Sequence, residues 1–152
     1  MIFISHRGNL DGAKPKHENS PNYIDNALSK GFDCEIDIWV VNSKLYLGHD
    51  DPTYLINEQW LKTRISNIWI HCKNIQSLEY FSNNSNTFNY FWHQNDVATM
   101  TSKKDLWVYP GYQPIINSIS VMPELNNENY LSKCKGICSD NIIKYKKKYK
   151  NL

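Results

Sequence analysis

Short apolar runs alternate with helix-start signals along the whole chain. Ile2 to Ser5 reads as a buried strand. After a polar loop, Ser20 stands where a helix cap belongs, and Pro21 suits the first helical position. Ile24, Ala27 and Leu28 form one apolar face, and Gly31 ends that helix. A second strand is expected over Phe32 to Val41, with Leu45 to Gly48 as a short hairpin arm. Asn57 opens a helical stretch carrying Trp60, Leu61 and Ile65. Ile68 to Cys72 is a strand, and Asn74 caps a helix bearing Ile75, Leu78 and Phe81. Further strands are expected at Phe88 to Trp92, Leu106 to Tyr109, Ser118 to Met122 and Gly136 to Cys138. A short helix fits Asn126 to Lys133.

Strand-then-helix alternation predicts an α/β fold with a parallel sheet. At 152 residues, with no repeat or linker, the chain is expected to form a single domain over 1–152. A full eight-unit barrel takes about 200–250 residues. A barrel of this length must be a compact, reduced TIM-type one with short or missing helices. An open doubly wound sheet is the alternative that length favours.

Composition narrows the class. With 41% hydrophobic and 21% charged residues and a net charge of +2, the chain can bury one core, which excludes global disorder. No apolar run is long enough to span a membrane. The N-terminus runs straight into His6 and Arg7, leaving no room for a secretory signal, so a cytoplasmic location is expected. The four cysteines should then stay reduced and serve as core filler, and Cys134 and Cys138 have the wrong spacing for a CxxC pair. Lysines 144, 146, 147, 148 and 150 make residues 144–152 a basic C-terminal tail on a mildly acidic body. Such a tail suits weak peripheral contact with an anionic membrane, or simply a solvated last helical turn. No basic aromatic motif points to nucleic acid as a partner.

The polar residues carry a sharper signal. His6-Arg7 follows the first strand, and Glu35 and Asp37 lie on one face of the second. His49-Asp50 ends the short arm, His71 and Lys73 share a face at the end of the next strand, and His93 ends the one after. Glu124 and Asp140 follow later strands. Four of the five histidines thus fall at C-terminal strand ends, where sites form in parallel α/β folds. A divalent cation is the economical neutraliser of an inward Glu-x-Asp pair, with a salt-bridged pair as the alternative. His6 and His49 suit general acid–base work, whereas His93 also suits a hydrogen-bonded core position. Arg7 and Lys73 suit an anionic substrate. The set fits metal-assisted phosphoryl transfer better than acyl transfer, because no Ser or Cys nucleophile has a matching base.

His6-Arg7-Gly8, Glu18-Asn19-Ser20, Glu35-Ile36-Asp37 and Gly48-His49-Asp50, in that order and spacing, resemble the glycerophosphodiester phosphodiesterase family of the phosphatidylinositol phospholipase C-like superfamily. The resemblance covers residues 1 to about 73, and Ser139-Asp140 is similar to the family's closing strand. It implies a TIM-type barrel with a divalent cation at its mouth and a small phosphodiester as substrate. His6 and His49 would be the acid–base pair, Glu35 and Asp37 metal ligands, and Arg7 and Lys73 phosphate contacts. Glu18 and Asn19 would support the site, with Asp50, His93 and Glu124 around it. His71 stands where the family places a third carboxylate. As a ligand it would shift a site expected to take Mg²⁺ or Ca²⁺ toward Mn²⁺ or Zn²⁺. The family's specificity insert is effectively absent, which leaves the substrate class open; the alternatives are phospholipase D-like action on lipid headgroups and, with His71 as its best argument, non-catalytic phosphate or headgroup binding.

Overall fold

The computed structural model describes residues 1–83, 87–126 and 131–150. Ten strands share one mixed sheet: β1 (Ile2–His6), β2 (Asp33–Val41), β3 (Lys44–Leu47), β4 (Tyr54–Ile56), β5 (Ile68–Cys72), β6 (Tyr90–Trp92), β7 (Ala98–Met100), β8 (Leu106–Val108), β9 (Ile119–Val121) and β10 (Gly136–Ser139). Parallel pairing runs in the order β6-β5-β2-β1-β10-β9-β8. β3 and β4 form an antiparallel flap on the far end of β2, and β7 pairs antiparallel with β8. Among the described residues, four helices cover the outside: α1 (Pro21–Ser29), α2 (Glu58–Lys62), α3 (Ile75–Ser82) and α4 (Ile142–Tyr149).

Alternation along the strands builds two faces. Cys34, Ile36, Ile38 and Val40 of β2 pack with Ile68, Ile70 and Cys72 of β5 beneath Ile24, Leu61 and Phe81 of the helices. The opposite face gathers Ile4, Trp69, Phe91, Trp107, Ile119, Val121 and Cys138. Trp107 of β8 stands 5.7 Å from Trp69 and 4.7 Å from Phe91, ring centroid to centroid. These strands lie at opposite ends of the parallel run, so the sheet is curled. Glu35, Asp37 and His71 have the parity of the inner face.

The curl does not close into a barrel, and here the structure corrects the barrel expectation. The 13 residues between β6 and β8 form no crossover helix. The chain returns instead as antiparallel β7. Between β6 and the β7 segment, among the described residues, no ladder forms. Ser102 donates from its amide to the Tyr90 carbonyl (2.8 Å) and from its hydroxyl to the Phe88 carbonyl (3.0 Å). The Thr99 hydroxyl donates to the Trp92 carbonyl (2.9 Å). The molecule is therefore an α/β open half-barrel.

Residues 144–149 lie in α4, with Lys146, Lys147 and Lys148 in its last turn, in line with the helical reading of the basic tail; its Ile142, Tyr145 and Tyr149 are buried against Leu10, Phe32 and Ile137. Of the helix expected over 126–133, residues 127–130 lie outside the described residues, and 3₁₀ turns cover Pro123–Asn126 before them and Leu131–Lys133 after them. Among the described residues no helix is long and apolar enough to cross a membrane. Cys34, Cys72, Cys134 and Cys138 are all buried.

Candidate active site

Strand register assembles the site. The β1–β2 ladder sets His6 beside Glu35, and the β2–β5 ladder sets Asp37 beside His71. Lys73 follows immediately, its amide donating to the Ile38 carbonyl (2.9 Å). His49 arrives from the β3–β4 connection through Gly48, at φ +149°, where a Cβ would overlap the Asp51 carbonyl. Arg7 and Asn19 adopt left-handed backbone, at φ 54° and 60°. The Arg7 amide donates to the Glu35 carbonyl (3.0 Å) and the Asn19 amide to the Arg7 carbonyl (3.1 Å). Two strained, non-glycine residues laced to β2 mark a site whose surroundings over-determine its shape.

The two carboxylates are 3% and 0% exposed. Asp37 is fully engaged. Its Oδ2 accepts from Asn19 Nδ2 (2.8 Å) and lies 3.0 Å from Arg7 Nε, while its amide donates to Asn19 Oδ1 (2.9 Å). Its Oδ1 faces His71 Nδ1 at 2.9 Å and Lys73 Nζ at 3.7 Å. Burial pushes the Asp37 carboxyl up, but the hydrogen bond from His71 and the charges of Arg7, His71 and Lys73 bring it well below the usual carboxylate range. Glu35 moves the other way. Burial and the Asp37 charge raise it, against the opposing pull of His6, Arg7 and His71. Its Oε2 is buried without a hydrogen-bond partner, 4.0 Å from His6 Nε2. One ligand atom each from Glu35, Asp37 and His71 falls within 4.8 Å of the others. An orphaned carboxylate oxygen beside a second carboxylate and an imidazole nitrogen is a donor set that fits a divalent cation.

The histidines differ in setting. His6 Nδ1 meets Asp140 Oδ1 at 2.8 Å. Burial opposes its protonation, yet the Asp140 hydrogen bond and the Glu35 charge outweigh burial and raise its pKa. His49 Nδ1 meets Asp50 Oδ1 at 2.7 Å at the exposed mouth. Partial burial, then Arg7 and Lys73, lower its pKa against the pull of Asp37 and Asp50. His6 is thus the better holder of a proton and His49 the better acceptor, the division an acid–base pair needs. His71 Nε2 lies 3.1 Å from the His93 carbonyl oxygen, and its ring stacks on Phe91. His93 stacks on Tyr109 at 3.6 Å, and burial together with the His71 charge pushes its pKa down to about 4.

One cavity of about 420 Å³ is lined by His6, Arg7, Glu35, His49, His71 and Lys73, together with His93 and the aromatic Trp92, Trp107 and Tyr109. Glu18, Asn19 and Asp50 line an adjoining groove with His6, Arg7 and His49. Glu124 is not among the lining residues of either. Its carboxylate accepts from Ser139 Oγ (2.6 Å) and Tyr145 OH (3.4 Å), tying β10 to α4. Two residues to which the sequence assigned no role matter here. Asp140 orients His6, and Asn9 Nδ2 donates to both Asp140 and Glu18 at 2.8 Å. Asp140 was visible as a strand-end carboxylate, but its partnership depends on β1 pairing with β10. Asn9 carries no signal of its own in the sequence.

Comparisons with protein-family models, with curated proteins and with solved structures find no match to this chain.

Proposed function

We propose that this pocket hydrolyses a phosphodiester of the small glycerophosphodiester type, with a divalent cation held by Glu35, Asp37 and His71. The observation that carries the reading is convergence. Two histidines, two cations and Glu35, drawn from four separate stretches of chain, line one cavity, with Asp37 buried against Arg7 and Lys73. The strand order, that of a parallel barrel opened between β6 and β8, supports a reduced TIM-type ancestry in line with the resemblance.

Each residue has a defined task. Arg7 and Lys73 meet the phosphate charge, held at the mouth by their ion pairs with Asp37. Asp140 fixes His6 through Nδ1 and leaves Nε2 facing the cavity for proton transfer. His49, fixed by Asp50 through Nδ1, is free to take a proton from the attacking hydroxyl or water through Nε2. A bound cation would supply Lewis-acid polarisation of the phosphoryl oxygen.

One observation favours a second reading, phosphate binding without turnover. Arg7, His71 and Lys73 already surround Asp37, so the site balances much of its own charge. Turnover of bis(p-nitrophenyl) phosphate separates the two. Hydrolysis abolished by EDTA and restored by added Mg²⁺, Mn²⁺ or Ca²⁺ supports the enzyme, whereas phosphate binding without hydrolysis supports the binder.

A further inference from the structure

The donor atoms at the carboxylate pair are unusually well specified. His71 stacks on Phe91 with ring centroids 5.1 Å apart and planes 6° from parallel, which holds its ring plane. Its Nε2 lies 3.1 Å from the His93 main-chain oxygen. A carbonyl only accepts, so an ion at Nδ1 requires the hydrogen on Nε2, where the His93 carbonyl accepts it, and takes the place of the Nδ1 hydrogen bond to Asp37. That Nδ1 stands 2.9 Å from Asp37 Oδ1 and 3.8 Å from Glu35 Oε1. Asp37 Oδ2 is committed to Asn19, so Asp37 offers one oxygen. Glu35, 3% exposed, keeps Oε2 without a hydrogen-bond partner.

Donor chemistry discriminates among ions. Mg²⁺ and Ca²⁺ are hard ions that take oxygen, whereas an imidazole nitrogen favours borderline transition ions, Zn²⁺ above Mn²⁺. Arg7 and Lys73 beside Asp37 lower the net negative charge on which a hard ion depends.

Resting on the proposed site and deepening it, we infer that His71 makes the Glu35–Asp37 centre selective for a transition cation. The affinity order is Zn²⁺, then Mn²⁺, with Mg²⁺ and Ca²⁺ well behind. His71 is a ligand through Nδ1, and the His93 carbonyl is the group that positions it.

The test uses the full chain stripped with chelator and titrated with each metal chloride alone by calorimetry at one fixed pH. Zn²⁺ and Mn²⁺ are expected to bind at least about tenfold more tightly than Mg²⁺ and Ca²⁺, and His71→Glu to narrow that preference by about 10–100-fold. The Mn²⁺-loaded chain should show ¹⁴N coupling to one imidazole in pulsed electron paramagnetic resonance, and His71→Glu should lose it. If that variant fails to fold, the nitrogen signature of the unaltered chain still decides. An all-oxygen Mn²⁺ centre, coupling that survives in the variant, equal affinity for all four ions, or no binding overturns the inference. Diester turnover supported by an all-oxygen centre would remove the selectivity and leave hydrolysis standing. Nitrogen-coupled Mn²⁺ without turnover would do the reverse.

Discussion

His6 and His49 share a cavity but not an environment, and their contributions are separable from folding. His6→Ala and His49→Ala are each expected to lower diester turnover by about 10²–10⁴-fold with an unchanged circular dichroism spectrum. Near-parental turnover in either variant removes that residue from the chemistry. Asn19→Asp keeps the shape of the Asp37 clasp but replaces a donor to Asp37 Oδ2 with a carboxylate. Loss of that buried hydrogen bond plus like-charge repulsion should cost at least about 1–3 kcal/mol, read as a lower denaturant midpoint. His93 gives a pH signature. Its folded pKa is depressed to about 4, below the ordinary histidine value of about 6.5. Between those values the unfolded chain binds a proton that the folded chain does not, so this residue's share of stability is lost as pH falls through that window. His93→Gln should therefore show a shallower fall in melting temperature from pH 6.5 to pH 4, and an unchanged slope would contradict that assignment.

At the scale of elements, the first half of the chain was legible and the second half much less so. Alternation in Asp33–Val41 and Ile68–Cys72 assigned the two faces, and with them the inward Glu35, Asp37 and His71. Asn74 forms a complete capping box with Ser77, and Asn57 accepts from the Trp60 amide. Ser20 precedes α1 as read, but its hydroxyl donates to the His17 carbonyl instead of capping. β4 and β7 were missed because both are edge strands with no fully buried residue, so no core face imprints a pattern on them. The partnership of His6 with Asp140 joins residues 134 positions apart. No local pattern carries it; only the β1–β10 ladder does. The seam that keeps the sheet open was equally hidden, since one main-chain bond and two hydroxyls stand in for a ladder there. Ser102→Ala leaves the Phe88 carbonyl without that donor and the Tyr90 amide without the Ser102 Oγ that accepts from it (3.1 Å), at a cost of about 1 kcal/mol or more. Amide exchange should quicken at Tyr90 more than at Ile70, and uniform exchange would mean that the hydroxyl does not hold the seam.

The molecule as a whole is a curled sheet whose outer face buries helices and whose inner face ends in a polar cavity. Its cysteines report on that packing. Burial pushes the Cys72 thiol up to about 12 and raises those of Cys34 and Cys138 as well. All four thiols should resist 5,5′-dithiobis(2-nitrobenzoate) in the native protein and react in denaturant, and fast native labelling would contradict the described core. The inner face carries the central claim, that its convergent histidines and carboxylates cleave a phosphodiester. ³¹P nuclear magnetic resonance of a glycerophosphodiester incubated with the metal-loaded chain tests it most directly. The account predicts that the diester resonance gives way to a phosphomonoester resonance, and that His49→Ala slows the conversion by about 10²-fold or more. A diester that stays intact while the metal is demonstrably bound contradicts it.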